Sequence, residues 1–257
     1  MEWAGRVMLL AAHPDDEVIG AGGQFANMRD LWIVHATDGA PANMFDARKH
    51  GFSSGEEYAQ ARRNELTSAL KIAGIGPARA LGLDFVGQQT VFHLTELSDC
   101  VLEYMRDIRP DTILSPSYEG GHPDHDSLCF AVHQALRLIA RSGGKIPEPL
   151  EYALYHARVG QLETGCFLEE NGGPGESELL DPEACARKRS MLDCFVTQRE
   201  VLAQFPPRRE CFRRAPEYDF LRPPHSGRLY YENFDWGTTG EHWRKRANDA
   251  MSRLSIQ

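Results

Sequence analysis

Two short runs concentrate the side chains that transfer protons and hold metals: His13-Pro14-Asp15-Asp16-Glu17 and His122-Pro123-Asp124-His125-Asp126. Together they place three of the ten histidines and four aspartates in ten residues. Zinc prefers imidazole nitrogen and carboxylate oxygen in a tetrahedral shell, and a catalytic zinc keeps the fourth position open. His13 and Asp16 are three residues apart and converge where a strand turns into a helix; His125 supplies a third ligand from the second run. A His-His-Asp site of this kind leaves Asp15 and His122 beside the metal as acid and base candidates. A blander account competes, because aspartate at a strand-to-helix turn is often a helix cap. Asp16, Asp124 and Asp126 would each suit that role. A single His-Pro-Asp would be read so; two of them, each behind a strand, point to a shared site.

The elements around the runs must bring them together. Val7–Ala12 is a short continuous apolar run and reads as a buried parallel strand that ends at the first cluster. Thr112–Ser115 reads the same way and leads through the turn-rich 116–121 to the second. Leu31–Ala36, closed by Thr37-Asp38-Gly39, and Ala78–Leu83 are further strands, and Tyr152–Ala157 is a fifth. Helices are predicted over 20–30, with Phe25 and Met28 facing inward, and over 56–73, 94–108 and 124–141. Strand alternating with helix implies an α/β fold, a Rossmann-like open and mainly parallel sheet with helices on both faces. Ligands of such sheets sit at the carboxyl ends of the strands, where both clusters fall.

Past Arg158 the rhythm weakens. Residues 160–178 read as an exposed loop, 182–197 as a helix with a continuation at 200–204, and 241–254 as a terminal helix. Residues 205–240 combine proline with Tyr218, Phe220, Tyr230, Tyr231, Phe234 and Trp236. They are too apolar to leave in water and predict an irregular C-terminal wrap over the core. The expected organisation is one catalytic domain over 1–204 and an extension over 205–257 packed on it.

Bulk properties narrow the partners. The chain has 257 residues, 37 acidic against 28 basic, and a formal charge of −9. An acidic chain without a Lys/Arg tract is not expected to bind nucleic acid or an anionic membrane. The six apolar residues before His13 are too few for a signal-peptide core, and no apolar run reaches the length of a membrane span. A cytoplasmic location is expected. The six cysteines form no CxxC pair and read as reduced thiols. Gly20-Ala21-Gly22-Gly23 after the first strand hints at a dinucleotide fold, but Phe25 stands where that fingerprint needs glycine.

Ala12-His13-Pro14-Asp15-Asp16-Glu17 and His122-Pro123-Asp124-His125 resemble the two signatures of the PIG-L/LmbE-like zinc de-N-acetylases. The resemblance extends through Thr37-Asp38-Gly39-Ala40, Arg62 and Glu65, Leu81-Gly82 with Asp84, and Lys188 to Gln198, about the first 200 residues. It implies Zn²⁺ bound by His13, Asp16 and His125, Asp15 as general base, and His122 as a protonated group facing the oxyanion. It implies Asp124 as the residue that orients His122 or holds its proton, and Arg62 and Asp84 as contacts to sugar hydroxyls. The implied reaction is removal of an N-acetyl group from an amino sugar or glycoconjugate by metal-activated water. The implied partner is a small N-acetylated sugar; self-association stays open. Two alternatives stand beside this reading. One is a metal-dependent hydrolase of a non-sugar amide or another bond; the other is an inactive binding member of the family.

Overall fold

In the computed structural model of the chain, Trp3 and residues 5–255 are described. Seven strands form one sheet in the order β3-β2-β1-β4-β5-β9-β8. They are β1 (Arg6–Ala11), β2 (Asp30–Pro41), β3 (Ala80–Gly87), β4 (Thr112–Pro116), β5 (Glu148–Tyr152), β8 (Glu176–Leu179) and β9 (Arg209–Arg214). A separate hairpin joins β6 (Tyr155–Arg158) to β7 (Gln161–Thr164). The helices are α1 (Asp16–Ala21), α2 (Phe45–Lys49), α3 (Gly55–Ile72), α4 (Leu94–Ile108), α5 (Pro123–Arg141), α6 (Pro182–Leu192), α7 (Arg199–Leu202) and α8 (Gly240–Leu254).

Strands β1 to β5 are parallel, and the chain leaves β1 for β2 and β3 before returning to β4 on the other side of β1. That reversal opens a crevice at the carboxyl ends of β1 and β4. Every side chain from Val7 to Ala11 is fully buried, which explains the unbroken apolar run. Alternation along β1 divides them between two cores. Val7, Leu9 and Ala11 pack with Val18, Leu70 and Met191 on one face; Met8 and Leu10 pack with Val101, Leu128 and Ala135 on the other. Each large side chain so buried contributes roughly 1.5–3 kcal/mol. A third cluster joins α8 to α5 through Trp243, Phe130, Tyr118 and Phe220.

The structure differs from the sequence reading in four places. The first helix begins at Asp16, not Gly20, and continues as a 3-10 turn over Gly22–Asn27, because the chain reverses in the single residue Asp15. Strand β2 runs on to Pro41; Thr37-Asp38-Gly39 is an irregularity within it, and β3 pairs beyond it at Gly87. The fifth strand is Glu148–Tyr152, in register with β4, while 155–158 form the hairpin instead. The supposed loop 160–178 and the tail contribute β8 and β9, which pair antiparallel on the sheet beside β5. The segment after residue 205 therefore builds part of the sheet as well as wrapping it.

Among the described residues no helix is long and apolar enough to cross a membrane.

Candidate metal centre and active site

The first run sits in the turn from β1 to α1. Asp15 takes φ 131° and ψ −30°, a region that ordinarily suits glycine. Its N–H donates to Glu17 Oε2 at 3.0 Å, and the same oxygen lies 3.0 Å from His35 Nε2 on β2. Thr37 donates its hydroxyl to Ala12 O at 2.8 Å and ties β2 to the turn. The second run caps α5. His122 is the N-cap, its Nδ1 accepting the Asp124 N–H at 3.0 Å, and Pro123 fills the first helical position. Asp126 faces away from the site, where its Oδ1 accepts N–H bonds from Glu119 and Gly120 and shapes the loop after β4. That loop packs so tightly on Tyr155 that a Cβ on Gly121 would stand 2.0 Å from the Tyr155 carbonyl.

The two runs meet at the crevice. Ring nitrogens of His13, His122 and His125 lie within 4.8 Å of one another. Asp16 Oδ2 lies 3.1 Å from His13 Nδ1 and 3.2 Å from His125 Nε2. The second approach is too far off line for a hydrogen bond, so His125 Nε2 is buried without a partner. An orphaned imidazole nitrogen beside a shared carboxylate is the donor set a divalent cation would complete. Charge agrees. Burial opposes protonation of His13, but Asp16 and Asp124 outweigh it and raise the ring to about 10, so the pocket favours a positive charge between those carboxylates.

His13 Nε2 lies 3.0 Å from Asp124 Oδ2. Asp124 in turn accepts N–H bonds from Gln88 and Thr90 and the Thr90 hydroxyl at 2.5 Å. The Asp124 carboxylate thus fixes the ring of His13, while its Oδ2 stands 3.8 Å from His122 Nδ1. A ring nitrogen that accepts a backbone N–H carries no proton, and burial, then the neighbouring His13, hold the His122 pKa well below the ordinary value. Its Nε2 carries the single proton of a neutral imidazole.

Asp15 stands apart from the imidazoles. Its Oδ2 accepts from Arg62 Nη2 at 3.2 Å, and the same nitrogen donates to Pro14 O at 2.6 Å. Burial pushes the Asp15 carboxyl up to about 7 against the pull of Arg62. Arg62 is buried on α3, with its Nε and Nη1 unpartnered. Asp15, Arg62, His13 and His122 line a groove of about 590 Å³ whose far wall is Tyr155, Phe205, Phe234 and Trp236. The ring of Trp236 stands 4.6 Å from His122 and stacks on Phe234.

Asp84 is not among these residues. It is exposed on β3 with φ 55° and lines a neighbouring groove of about 460 Å³ between α3 and β3, with Pro14 in its wall. Sequence reasoning missed Thr90 and Gln88, which anchor Asp124, and Tyr155. Their neighbourhoods carry no local signal, since only the crossing of β3 into α4 brings 88–90 beside α5. The wall from Phe234 and Trp236 was visible only as apolar residues needing cover. Of the other residues in the resemblance, Glu65 accepts from Thr197, and Lys188 is buried against Glu210 at 2.7 Å; both brace the frame.

The fold resembles that of solved deacetylases. The zinc-inhibited form of teicoplanin deacetylase Orf2 matches with a TM-score of 0.60 at 15% identity, covering 83% of this chain and all of that one. GalB, a 4-carboxy-2-hydroxymuconate hydratase from Pseudomonas putida KT2440, matches with a TM-score of 0.56 at 17% identity, covering 83% of this chain and 99% of that one. At these identities the likeness concerns the fold alone. In sequence, the 2'-N-acetylparomamine deacetylase of Streptomyces fradiae is 29% identical over 166 residues, 58% of this chain and 58% of that enzyme. The chain thus spans little more than half the length of this curated relative. The family model described as GlcNAc-PI de-N-acetylase matches residues 8–136, half of the chain and both His-Pro-Asp runs. The chain belongs to the PIG-L family.

Proposed function

We propose that the chain is a zinc-dependent N-deacetylase that removes an acetyl group from the amino group of a sugar or glycoconjugate. The observation that carries this reading is the division of labour at the crevice. His13, Asp16 and His125 converge with one nitrogen orphaned, while Asp15 is held off by Arg62 and stays free to move a proton. His13, Asp16 and His125 would hold the metal. When bound, it supplies a Lewis acid that polarises the acetamide carbonyl and acidifies water.

The protein's own residues do the rest. Asp15, poised near 7, takes a proton as water attacks the carbonyl carbon. His122 donates its Nε2 proton as a hydrogen bond to the developing oxyanion and does so as a neutral ring. Asp124 keeps His13 turned toward the site. Asp15 then returns its proton to the nitrogen as the C–N bond breaks, so acetate and a free amine leave. Trp236 and Phe234 offer aromatic faces to the carbohydrate C–H groups, and Arg62 has two unpaired donors for hydroxyls. The family match and the deacetylase relative support this substrate class. A cytoplasmic site of action and a small soluble substrate fit the charge of the chain.

The test is amine release by zinc-loaded protein from N-acetylglucosamine conjugates, N-acetylated chitooligosaccharides and non-sugar acetamides. Phosphoesters and an unsaturated carboxylate accompany them, the latter for the chemistry named for the hydratase. Release from the sugars at a rate well above the others is expected. Turnover of only the unsaturated carboxylate, or of none, overturns the reading.

A further inference from the structure

The hairpin β6–β7 carries a second cluster of ligand-type side chains. His156 and Glu163 are direct cross-strand partners, so both side chains stand on one face of the hairpin. Cys166 follows β7 by two residues. One ligand atom from each of the three lies within 4.8 Å of the others. Glu163 Oε2 is 3.7 Å from His156 Nε2 and 3.8 Å from Cys166 Sγ.

The imidazole of His156 is fully buried, and neither ring nitrogen has a hydrogen-bond partner. A buried ring with both nitrogens unmet is costly, and the cost calls for a partner. His225 of the tail likewise has its Nε2 buried without a hydrogen-bond partner. This cluster is separate from the catalytic crevice. The preceding residue, Tyr155, turns its ring to within 5.2 Å of His125, and strand alternation sends His156 to the other side.

We propose that His156, Glu163 and Cys166 form a second metal site, for zinc or another borderline-soft divalent cation. Imidazole, carboxylate and thiolate together select this class of ion over magnesium or calcium. Binding releases the Cys166 thiol proton to solvent, and Nε2 of His156 gives its lone pair. A similar-looking group, Cys129, His133 and Glu151, does not qualify, because the buried Arg213 guanidinium sits 2.9 Å from Glu151 Oε2 and excludes a cation, whereas the Arg158 guanidinium stands 3.5 Å from Glu163 Oε2 on an exposed side chain that can swing into solvent. Two four-residue strands with no other sheet partner are weak alone, and a metal would fasten them.

Cobalt titration of metal-free protein tests the site. The crevice has no cysteine, so a thiolate-to-cobalt charge-transfer band in the near ultraviolet can come only from a site with sulfur. Wild-type protein is expected to bind about two equivalents, one of them with the band. Cys166→Ser should lose the band and one equivalent, and Glu163→Gln should weaken that equivalent at least about tenfold. Wild-type titration without the band overturns the proposal whether or not either variant folds, as does a band that survives in Cys166→Ser. Absence of the band-free equivalent would instead count against the crevice metal alone.

Discussion

Two buried charged clusters lie on the same sheet, one at the carboxyl ends of β1 and β4 and one around Arg213 on β9. The Arg213 cluster closes on itself. Its Nε donates to Glu151, its Nη1 to the carbonyls of Leu168 and Gly173, and its Nη2 to the Tyr218 hydroxyl, which donates in turn to Glu151. Glu119 completes it by accepting from Ser117 and from the Leu168 N–H. The crevice cluster does not close: His125 Nε2 and two nitrogens of Arg62 have no hydrogen-bond partner. Burial and charge alone would make both clusters candidates for chemistry. What separates them is satisfaction. A network whose donors and acceptors all meet within the protein holds the fold, while one with orphaned groups facing a groove is built for something that comes from outside.

The contrast can be broken most sharply at the crevice. His125→Ala should leave the chain folded, with far less than one crevice metal and no amine release, as read by metal analysis and turnover together. Full metal content in that variant would remove His125 from the ligand set. Asp15→Asn keeps the shape of the side chain and removes its basicity. It should retain the metal and lose about two to four orders of magnitude in turnover. A rate near that of the wild type would make Asp15 a turn residue only.

The closed cluster should respond in the opposite sense. Arg213→Met leaves the buried Glu119 and Glu151 without their cation and hydrogen-bond donor and should cost about 3–5 kcal/mol of stability in denaturant unfolding, with turnover per folded molecule unchanged. Loss of turnover without loss of stability would reverse the assignment of the two clusters. The smallest effect is in pH. Burial pushes Glu151 up to about 8 even though Arg213 and Tyr218 pull it down, and burial also raises Glu119, which shares the same guanidinium. Above the ordinary carboxylate range the unfolded chain has released a proton that folded Glu151 still holds. This contribution is therefore complete in acid and is lost as pH rises through 8. Melting temperature should fall between about pH 5 and pH 8 and level off above that, by roughly 2–4 °C for each kcal/mol lost, and Glu151→Gln should flatten the fall.

The crevice was legible in the sequence because its parts are local: each His-Pro-Asp run follows a strand whose apolar residues announce it. The parallel half of the sheet was legible for the same reason. The closed cluster was not. Glu119, Glu151 and Arg213 are spread over 95 positions and meet only because β9 returns to pair with β5, and nothing in RECFRR marks it as a strand of this sheet. Four of its six residues are charged, and its buried arginine is explained only by partners distant in the chain. The same holds for Asp124: proximity in sequence suggested His122 as its partner, whereas the fold presents His13 across 111 residues.

The backbone of Asp15 has a further consequence. Its φ of 131° is a conformation in which a side chain costs on the order of 1–3 kcal/mol and glycine costs least. The residue assigned as base therefore occupies a position where losing its side chain relieves the chain. Selection for heat resistance alone would favour Asp15→Gly, a change that removes the basic group. Persistence of an aspartate in that turn places the site on the wrong side of a stability–activity trade-off. A sequence of this fold with glycine in the turn would thus mark a lineage that kept the scaffold after giving up the reaction.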